Sequence, residues 1–210
     1  TLFRSCKGVA VNFPEEPTTV LTDLREIGPH TLFAPPRTYE NMISRFMLRM
    51  DGSTWFKRKV YHFFKPFGQK AAEAKLNNEP VSFGTKLMNG IGDFLVFSAI
   101  RDHLGLARVK RAYNNGAPLG EEAIYFFHSL GVNIKNSYGA TELCGISFVQ
   151  RDGDINCLSA GLPLPNTEIK ISEQGEILLK SPSQFVGYYK AEHEEPVTEW
   201  VSLGDKGKIE

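Results

Sequence analysis

Charge of one sign is what this sequence most plainly lacks. Lys plus Arg is 24 and Asp plus Glu is 24, so the formal charge is zero. Nucleic-acid platforms carry a basic excess, and none is expected here as a partner. Long apolar runs are missing as well. No stretch approaches the roughly 20 residues of a membrane-spanning helix, and no basic segment followed by an apolar run opens the chain as a secretory leader would. Cysteine is scarce: Cys6, Cys144 and Cys157 are odd in number and far apart, with neither zinc spacing nor a disulfide framework. The setting this suggests is reducing and cytoplasmic. The five histidines, His30, His62, His103, His128 and His193, are scattered without an HExxH spacing and are read as non-catalytic.

What is present is ordinary globular material. Aromatic residues are 11% and hydrophobic residues 41%, which excludes disorder as the main state. A chain of 210 residues corresponds to one or two domains, and it buries roughly 70% of its unfolded surface. It begins at Thr1 rather than Met, and Lys208-Ile209-Glu210 reads like the start of a strand. Both ends are therefore expected to be cuts in a longer sequence.

The first half is helical in pattern. A short helix is expected near Thr22–Ile27, and an apolar stretch follows at Thr31–Ala34 before Pro35-Pro36. From Arg37, the residues Tyr39, Met42, Ile43, Phe46, Met47 and Met50 fall on one helical face, and Asp51-Gly52-Ser53 ends the run. Residues 55 to 70 hold five basic and six aromatic residues. That mixture suits a packed helix flanked by Lys and Arg stems, the favoured reading, with contact to a membrane surface as the lesser one. Pro66 is expected to interrupt this helix. Residues 71 to 92 carry no strong pattern. Gly84-Thr85-Lys86 and Gly90-Ile91-Gly92 lack the rest of any phosphate or dinucleotide motif and read as turns. A helix over Asp93–Leu104 stopping at Gly105 is expected.

The stretch from 107 is more informative. Ala107–Tyr113 reads as a strand, Gly120–Leu130 as a helix, and Val132–Asn136 as a second strand. The connection from 114 to 131 is 18 residues long, and a crossover between parallel strands needs a dozen or more. Parallel strands bring their carboxyl ends to one sheet edge, where ligands of open α/β sheets bind. The loops 114–119 and 137–142 should then be neighbours. Beyond Glu142 the texture becomes antiparallel. Gly161–Pro165 reads as a rigid turn, and Thr167–Ile171 with Glu176–Leu179 as a hairpin around Ser172–Gly175.

By their own chemistry, Tyr138, Gly139, Thr141 and Glu142 allow two readings. A stacking ring, a close approach, a hydroxyl and a hard oxygen ligand suit a nucleotide-phosphate site holding Mg2+. A tyrosine packed in the core beside a solvated Thr-Glu turn is the plainer reading, and a run of only five common residues, Tyr138 to Glu142, favours it.

The ordered set of motifs changes that weighting. Asn136–Glu142 resembles the YGxTE motif of the adenylate-forming, AMP-binding enzymes. Gly116-Ala117-Pro118-Leu119 is similar to that family's adenine loop. Ser159–Pro165 resembles its glycine-proline turn, Gly175–Leu179 with Gly187–Lys190 its GEL and GYY motif, and Trp200 through Gly204-Asp205 its W-x-x-TGD motif. The upstream LFAPPRTYE and the helical segment most resemble a bacterial-type long-chain fatty acyl-CoA synthetase.

The resemblance implies an α/β fold, part of the large N-terminal domain of the acetyl-CoA synthetase-like fold. Within one domain, residues 1–106 would form a helix-rich part, 107–158 the β-α-β segment, and 159–210 a β-rich part. It implies that Gly116, Ala117 and Pro118 line an adenine, with Tyr138 stacked on its other face and Gly139 giving room. Thr141 would contact the α-phosphate, Glu142 would bind Mg2+, and Asp205 would hold the ribose hydroxyls. Thr141 and Glu142 are the implied catalytic pair. The implied reaction takes a carboxylic acid, with a fatty acid expected, and ATP to acyl-AMP. Coenzyme A then gives acyl-CoA.

Two family parts have no counterpart: a Ser/Thr/Gly-rich phosphate loop ending in Pro-Lys, and a C-terminal lid with its lysine. The chain is therefore expected to be an internal fragment, inactive alone. Ser202-Leu203 stands where the family has His-Thr, and the segment from 190 to 200 is short. These departures leave two alternatives open: a non-catalytic nucleotide-binding remnant, and an adenylation domain for another carboxylic acid.

Overall fold

A computed structural model describes residues 8–190 and 199–209. Cys6, His193, Glu210 and most of the short 190–200 segment lie outside the described residues.

Two sheets divide the strands. The first has the order β1 (Thr31–Ala34), β2 (Arg111–Asn114), β3 (Ile134–Tyr138), β4 (Phe148–Val149), β5 (Leu162–Pro163). The first three run parallel, with Ala34 beside Asn114 and Asn114 beside Asn136. The expected strand, helix and parallel strand are present, with α6 (Glu121–Ser129) as the crossover. Their limits differ from those read in the sequence. Residues 107–110 are not strand, because pairing starts only where β1 starts: Lys110 N and Arg111 N both donate to His30 O. β3 reaches Tyr138 because the antiparallel β4 holds its far side, pairing Tyr138 with Phe148. Within 161–165, Leu162 and Pro163 form an edge strand on β4 rather than a turn alone. The second sheet is the antiparallel trio β6 (Glu168–Ile171), β7 (Glu176–Lys180) and β8 (Val201–Lys206), so the expected hairpin is present. β8 ends at Lys206, and Lys208-Ile209 continues no strand.

Helices α1 (Val20–Ile27), α2 (Pro36–Asp51), α3 (Trp55–Leu76), α4 (Phe83–Gly92) and α5 (Ser98–His103) make the first half. Pro36 sits at the first position of α2, where its missing N–H costs nothing. Tyr39, Met42 and Phe46 face the core as their spacing predicts, while Met47 lies exposed. α3 runs through Pro66 without ending. Proline leaves the carbonyl four residues earlier without its donor, but that residue, His62, is exposed to water. Burial of Tyr61, Phe64, Gly68 and Ala72 on both sides of Pro66 holds the helix together.

Residues 71–76 and 83–92 are helical too, with a short connection over 77–82, a second correction. Ser82 caps α4 by accepting from Thr85 N at 3.3 Å. Both Gly84-Thr85-Lys86 and Gly90-Ile91-Gly92 lie on α4 rather than in turns. Gly92 is there for space, since an added Cβ would sit 2.9 Å from the Phe64 ring of α3. The expected 93–104 helix opens with a π-helical turn, Asp93–Phe97, before α5. Among the described residues no helix is long and apolar enough to cross a membrane.

The main core lies between α2, α3, α6 and the parallel strands. Tyr39 and Phe127 meet edge to face within it, and Ile134 and Ala112 form its floor. Truncating Phe127, which is fully buried, to alanine costs about 3–5 kcal/mol at such sites. A smaller core joins the two sheets: Leu143, Phe148 and Leu179 are buried there, with Tyr138, Ile169, Ile177 and Leu203 packed around them.

Candidate functional site

The carboxyl ends of β2 and β3 carry the two loops that the sequence analysis expected to be neighbours, and they are neighbours. Asn114, the last residue of β2, donates through Nδ2 to Ala117 O at 2.7 Å and to Asn136 Oδ1 at 2.9 Å. Ser137 Oγ donates to Asn114 O at 2.8 Å. Leu119 is buried and pins the far end of the first loop, while Gly116, Ala117 and Pro118 stay exposed. Gly116 has φ 94°, and its N–H is taken by Asn115 Oδ1 at 2.7 Å, which folds the loop back.

The second loop leaves β3 at Tyr138 and doubles back at once. Its carbonyl accepts from Ser147 N at 2.8 Å. An added Cβ on Gly139 would sit 1.6 Å from Gly145 O, so no side chain fits there. Leu143 N and Gly145 N both donate to Ala140 O, which closes the 3-10 turn Thr141–Leu143. Leu143 points into the smaller core and anchors the turn, leaving Thr141 exposed and Glu142 half-buried.

Both acidic candidates are held by tyrosines. Tyr138 Oη donates to Asp205 Oδ2 at 2.5 Å, and its ring lies 5.8 Å from that of Phe148. Burial, and then the Asp205 hydrogen bond, push the Tyr138 phenol well above its ordinary value. Tyr188 Oη donates to Glu142 Oε1 at 2.7 Å, and this bond lowers the Glu142 carboxyl below its usual value. Phe185 N donates to Glu142 O at 2.8 Å, so the strand-to-tail segment wraps the turn. Tyr188 takes one carboxylate oxygen, and the Glu142 backbone adds a second hydrogen bond to the carboxyl. Among the described residues no group of three or more His, Cys, Asp or Glu could hold a metal. A single carboxylate fits a hard ion such as Mg2+ that is shared with substrate phosphates, and not one held by an all-protein cage.

The structure thus brings Gly116, Ala117 and Pro118 close to β3, and ties Tyr138 to Asp205. Leu203 is partly buried and packs against the smaller core of Leu143, Phe148 and Leu179. Sequence reasoning missed the buried amides Asn114, Asn136 and Gln150, and missed Tyr188 as the partner of Glu142. The one available signal was polar residues interrupting strand-like text, as in NIKNSY and FVQ.

The AMP-binding enzyme family matches residues 2–189. The rat (Rattus norvegicus) long-chain-fatty-acid–CoA ligase ACSBG1 is 26% identical over 201 residues, covering 91% of this chain and 27% of its own. The long-chain-fatty-acid–CoA ligase ACSBG2 of Xenopus laevis is 29% identical over 194 residues, covering 88% and 26%. The long chain acyl-CoA synthetase 3 of Arabidopsis thaliana is 25% identical over 207 residues, covering 90% and 30%. The chain therefore spans 26% to 30% of the length of these relatives. A crystal structure of the anthranilate CoA ligase AuaEII in complex with anthranoyl-AMP superposes with a TM-score of 0.51. It is 16% identical and covers 90% of this chain and 29% of that one, a likeness of fold. With a match that runs through nearly the whole chain and includes both strand-end loops, this chain belongs to the AMP-binding enzyme family.

Proposed function

We propose that this chain is part of an enzyme that activates a carboxylic acid by adenylation. The carrying observation is the tie between the two strand-end loops, Asn114 to Ala117 and Asn136, which sets an exposed glycine-rich loop beside the Tyr138–Glu142 turn. In this reading the acid carboxylate attacks the α-phosphate of ATP. An acyl–O–P bond forms, the bond to pyrophosphate breaks, and acyl-AMP is retained. Coenzyme A sulfur then attacks the acyl carbon and AMP leaves. A fatty acid is the proposed acid, supported by the names of the curated relatives at 25% to 29% identity.

The roles follow from chemistry and position. Gly116, Ala117 and Pro118 present backbone to one face of the adenine, and Tyr138 offers its ring to the other. Gly139 keeps the turn tight enough for Thr141 to reach a phosphate oxygen with its hydroxyl. Glu142 holds Mg2+, oriented by Tyr188, and Asp205 receives the ribose diol once Tyr138 yields it. Bound Mg2+ supplies charge neutralisation on the phosphates. Catalysis of this kind is largely positioning and electrostatics. The segments 1–106, 107–158 and 159–210 are proposed as parts of one nucleotide-binding domain.

We place this activity in the cytoplasm, with a packed helix over 55–70 as the favoured reading and contact to a lipid surface there as the lesser one. Trp55, Phe56 and Phe63 stand exposed there, and Lys59 lies over the Trp55 ring. Sedimentation with anionic vesicles tests that contact.

The test of the activity is ATP–pyrophosphate exchange by the whole gene product across a series of carboxylic acids, with Glu142→Ala beside the wild type. Exchange with long-chain acids that Glu142→Ala abolishes is the expected result. No exchange with any acid would sink the reading. Exchange with aryl or amino acids alone would keep adenylation and remove the fatty acid. A remnant that binds nucleotide without turning it over is the second reading, favoured by Leu203, which packs against the smaller core. Calorimetric binding of ATP without exchange would support it.

A further inference from the structure

Three buried amides link the two loops of the site, and the proposed adenylation does not yet use them. Asn114, Asn136 and Gln150 are all at most 5% exposed. Gln150 follows directly on β4, which is only two residues long. Its backbone N donates to Asn136 O at 3.2 Å, and its Oε1 accepts from Asn136 N at 2.7 Å. A side chain thus completes the pairing at the point where the strand gives out. Gln150 Nε2 donates to Ser159 O at 2.9 Å and also to Asn156 O, which ties down the segment leading into Gly161–Pro165. Asn136 Oδ1 accepts from Asn114 Nδ2 at 2.9 Å and from Leu119 N at 3.4 Å. Asn114 Nδ2 continues to Ala117 O.

Stability alone does not call for this arrangement. Replacing buried polar partners with apolar groups of the same shape is often nearly neutral, and a partly satisfied network is worse than an apolar core. This network is only partly satisfied: Asn114 Oδ1 is buried with no hydrogen-bond partner among the described residues. The Asn114 amide spends its donors on the loop and on β3, and leaves its acceptor unpaired. A buried unsatisfied group in a native fold asks for a reason. Local rules are typically broken where function demands a fixed geometry.

We propose that Asn114, Asn136 and Gln150 form an amide relay that sets the distance between the loop 116–118 and the Tyr138 strand. Gln150 is then a positioning residue for nucleotide affinity, although it lies outside every recognised motif. The inference rests on the adenylation reading for its consequence, and on the hydrogen bonds alone for the relay itself. Gln150→Met keeps the length of the side chain and removes all three of its side-chain bonds.

The experiment compares the whole gene product with Gln150→Met, Asn114→Ala and the core variant Leu104→Ala. Leu104 is buried in the main core just after α5, outside both loops in the chain. In pyrophosphate exchange, Gln150→Met is expected to raise the KM for ATP about tenfold or more, with the KM for the acid within about twofold. Leu104→Ala is expected to lower Tm and leave the KM for ATP unchanged. Amide hydrogen exchange at Leu119 is expected to quicken in Gln150→Met and Asn114→Ala, and not in Leu104→Ala. Folded Gln150→Met with an unchanged KM for ATP overturns the positioning role, as does an equal KM rise in Leu104→Ala. If Gln150→Met does not fold, Asn114→Ala decides by the same readouts. If the wild type exchanges pyrophosphate with no acid, adenylation falls, and Leu119 protection still judges the relay: unchanged protection in both amide variants overturns it.

Discussion

The phenol of Tyr138 donates a hydrogen bond to the carboxylate of Asp205, 67 positions further along the chain. The bond joins the end of the parallel strands to the last strand of the second sheet. It also occupies a carboxylate proposed to hold the ribose, so the two sheets are latched through the site itself. Tyr138→Phe keeps the ring against Phe148 and removes only the latch. Its expected cost is about 1 kcal/mol in urea unfolding, because the bond is partly exposed to solvent. Tyr138→Ala should cost more by losing the Phe148 contact.

Gly139 and Gly116 predict losses of very different size for the same substitution. Gly139→Ala puts a Cβ 1.6 Å from a backbone oxygen, and the turn has no room to open. Loss of the folded state, or a drop in stability above about 3 kcal/mol, is expected by thermal unfolding. Gly116→Ala meets nothing within 4 Å and faces only the strain of φ 94°. About 1 kcal/mol of destabilisation is expected there.

His128 predicts a pH dependence. Its ring is buried, Nε2 lies 2.8 Å from Ile134 O, and burial lowers its pKa from 6.5 to about 4. The unfolded chain therefore binds a proton between pH 6.5 and 4 that the folded chain refuses. Stability falls as pH drops through that window and flattens below it. The full window is worth roughly 3 kcal/mol. Urea midpoints measured from pH 7 to 4 should show a shallower slope in His128→Gln than in the wild type.

Tyr188→Phe tests the orientation of Glu142. The Tyr188 hydroxyl is the main cause of the lowered Glu142 carboxyl pKa. A carboxyl lowered by folding adds stability above its unfolded value and loses it as pH falls through the folded value. Carboxyl-carbon NMR titration should show the Glu142 midpoint rising towards the ordinary carboxylate value in Tyr188→Phe. An unmoved midpoint would assign the shift to the turn backbone instead.

Local reading reached some elements and missed others for identifiable reasons. The α2 face and the β6–β7 hairpin were legible because periodicity and turn residues are local. The α4 helix was not, because its glycines mimic turn text. Only the Phe64 ring, 28 positions earlier in sequence, explains why Gly92 is small. Pro66 suggested a break, but burial on both sides of it outweighs the lost hydrogen bond. Strand ends shifted by two to four residues, because β2 starts where β1 starts and β3 ends where β4 stops pairing.

By itself the sequence determined the order of the motifs and the parallel crossover. Loop length, turn chemistry and side-chain periodicity act between residues near in the chain, so they can be read along it. The tertiary structure alone decided which side chains complete the site. Tyr138 meets Asp205, Tyr188 meets Glu142, Gln150 closes on Asn136, and Leu203 packs against the smaller core. Each of these contacts depends on how two sheets and their loops pack, and no local rule of spacing carries that information.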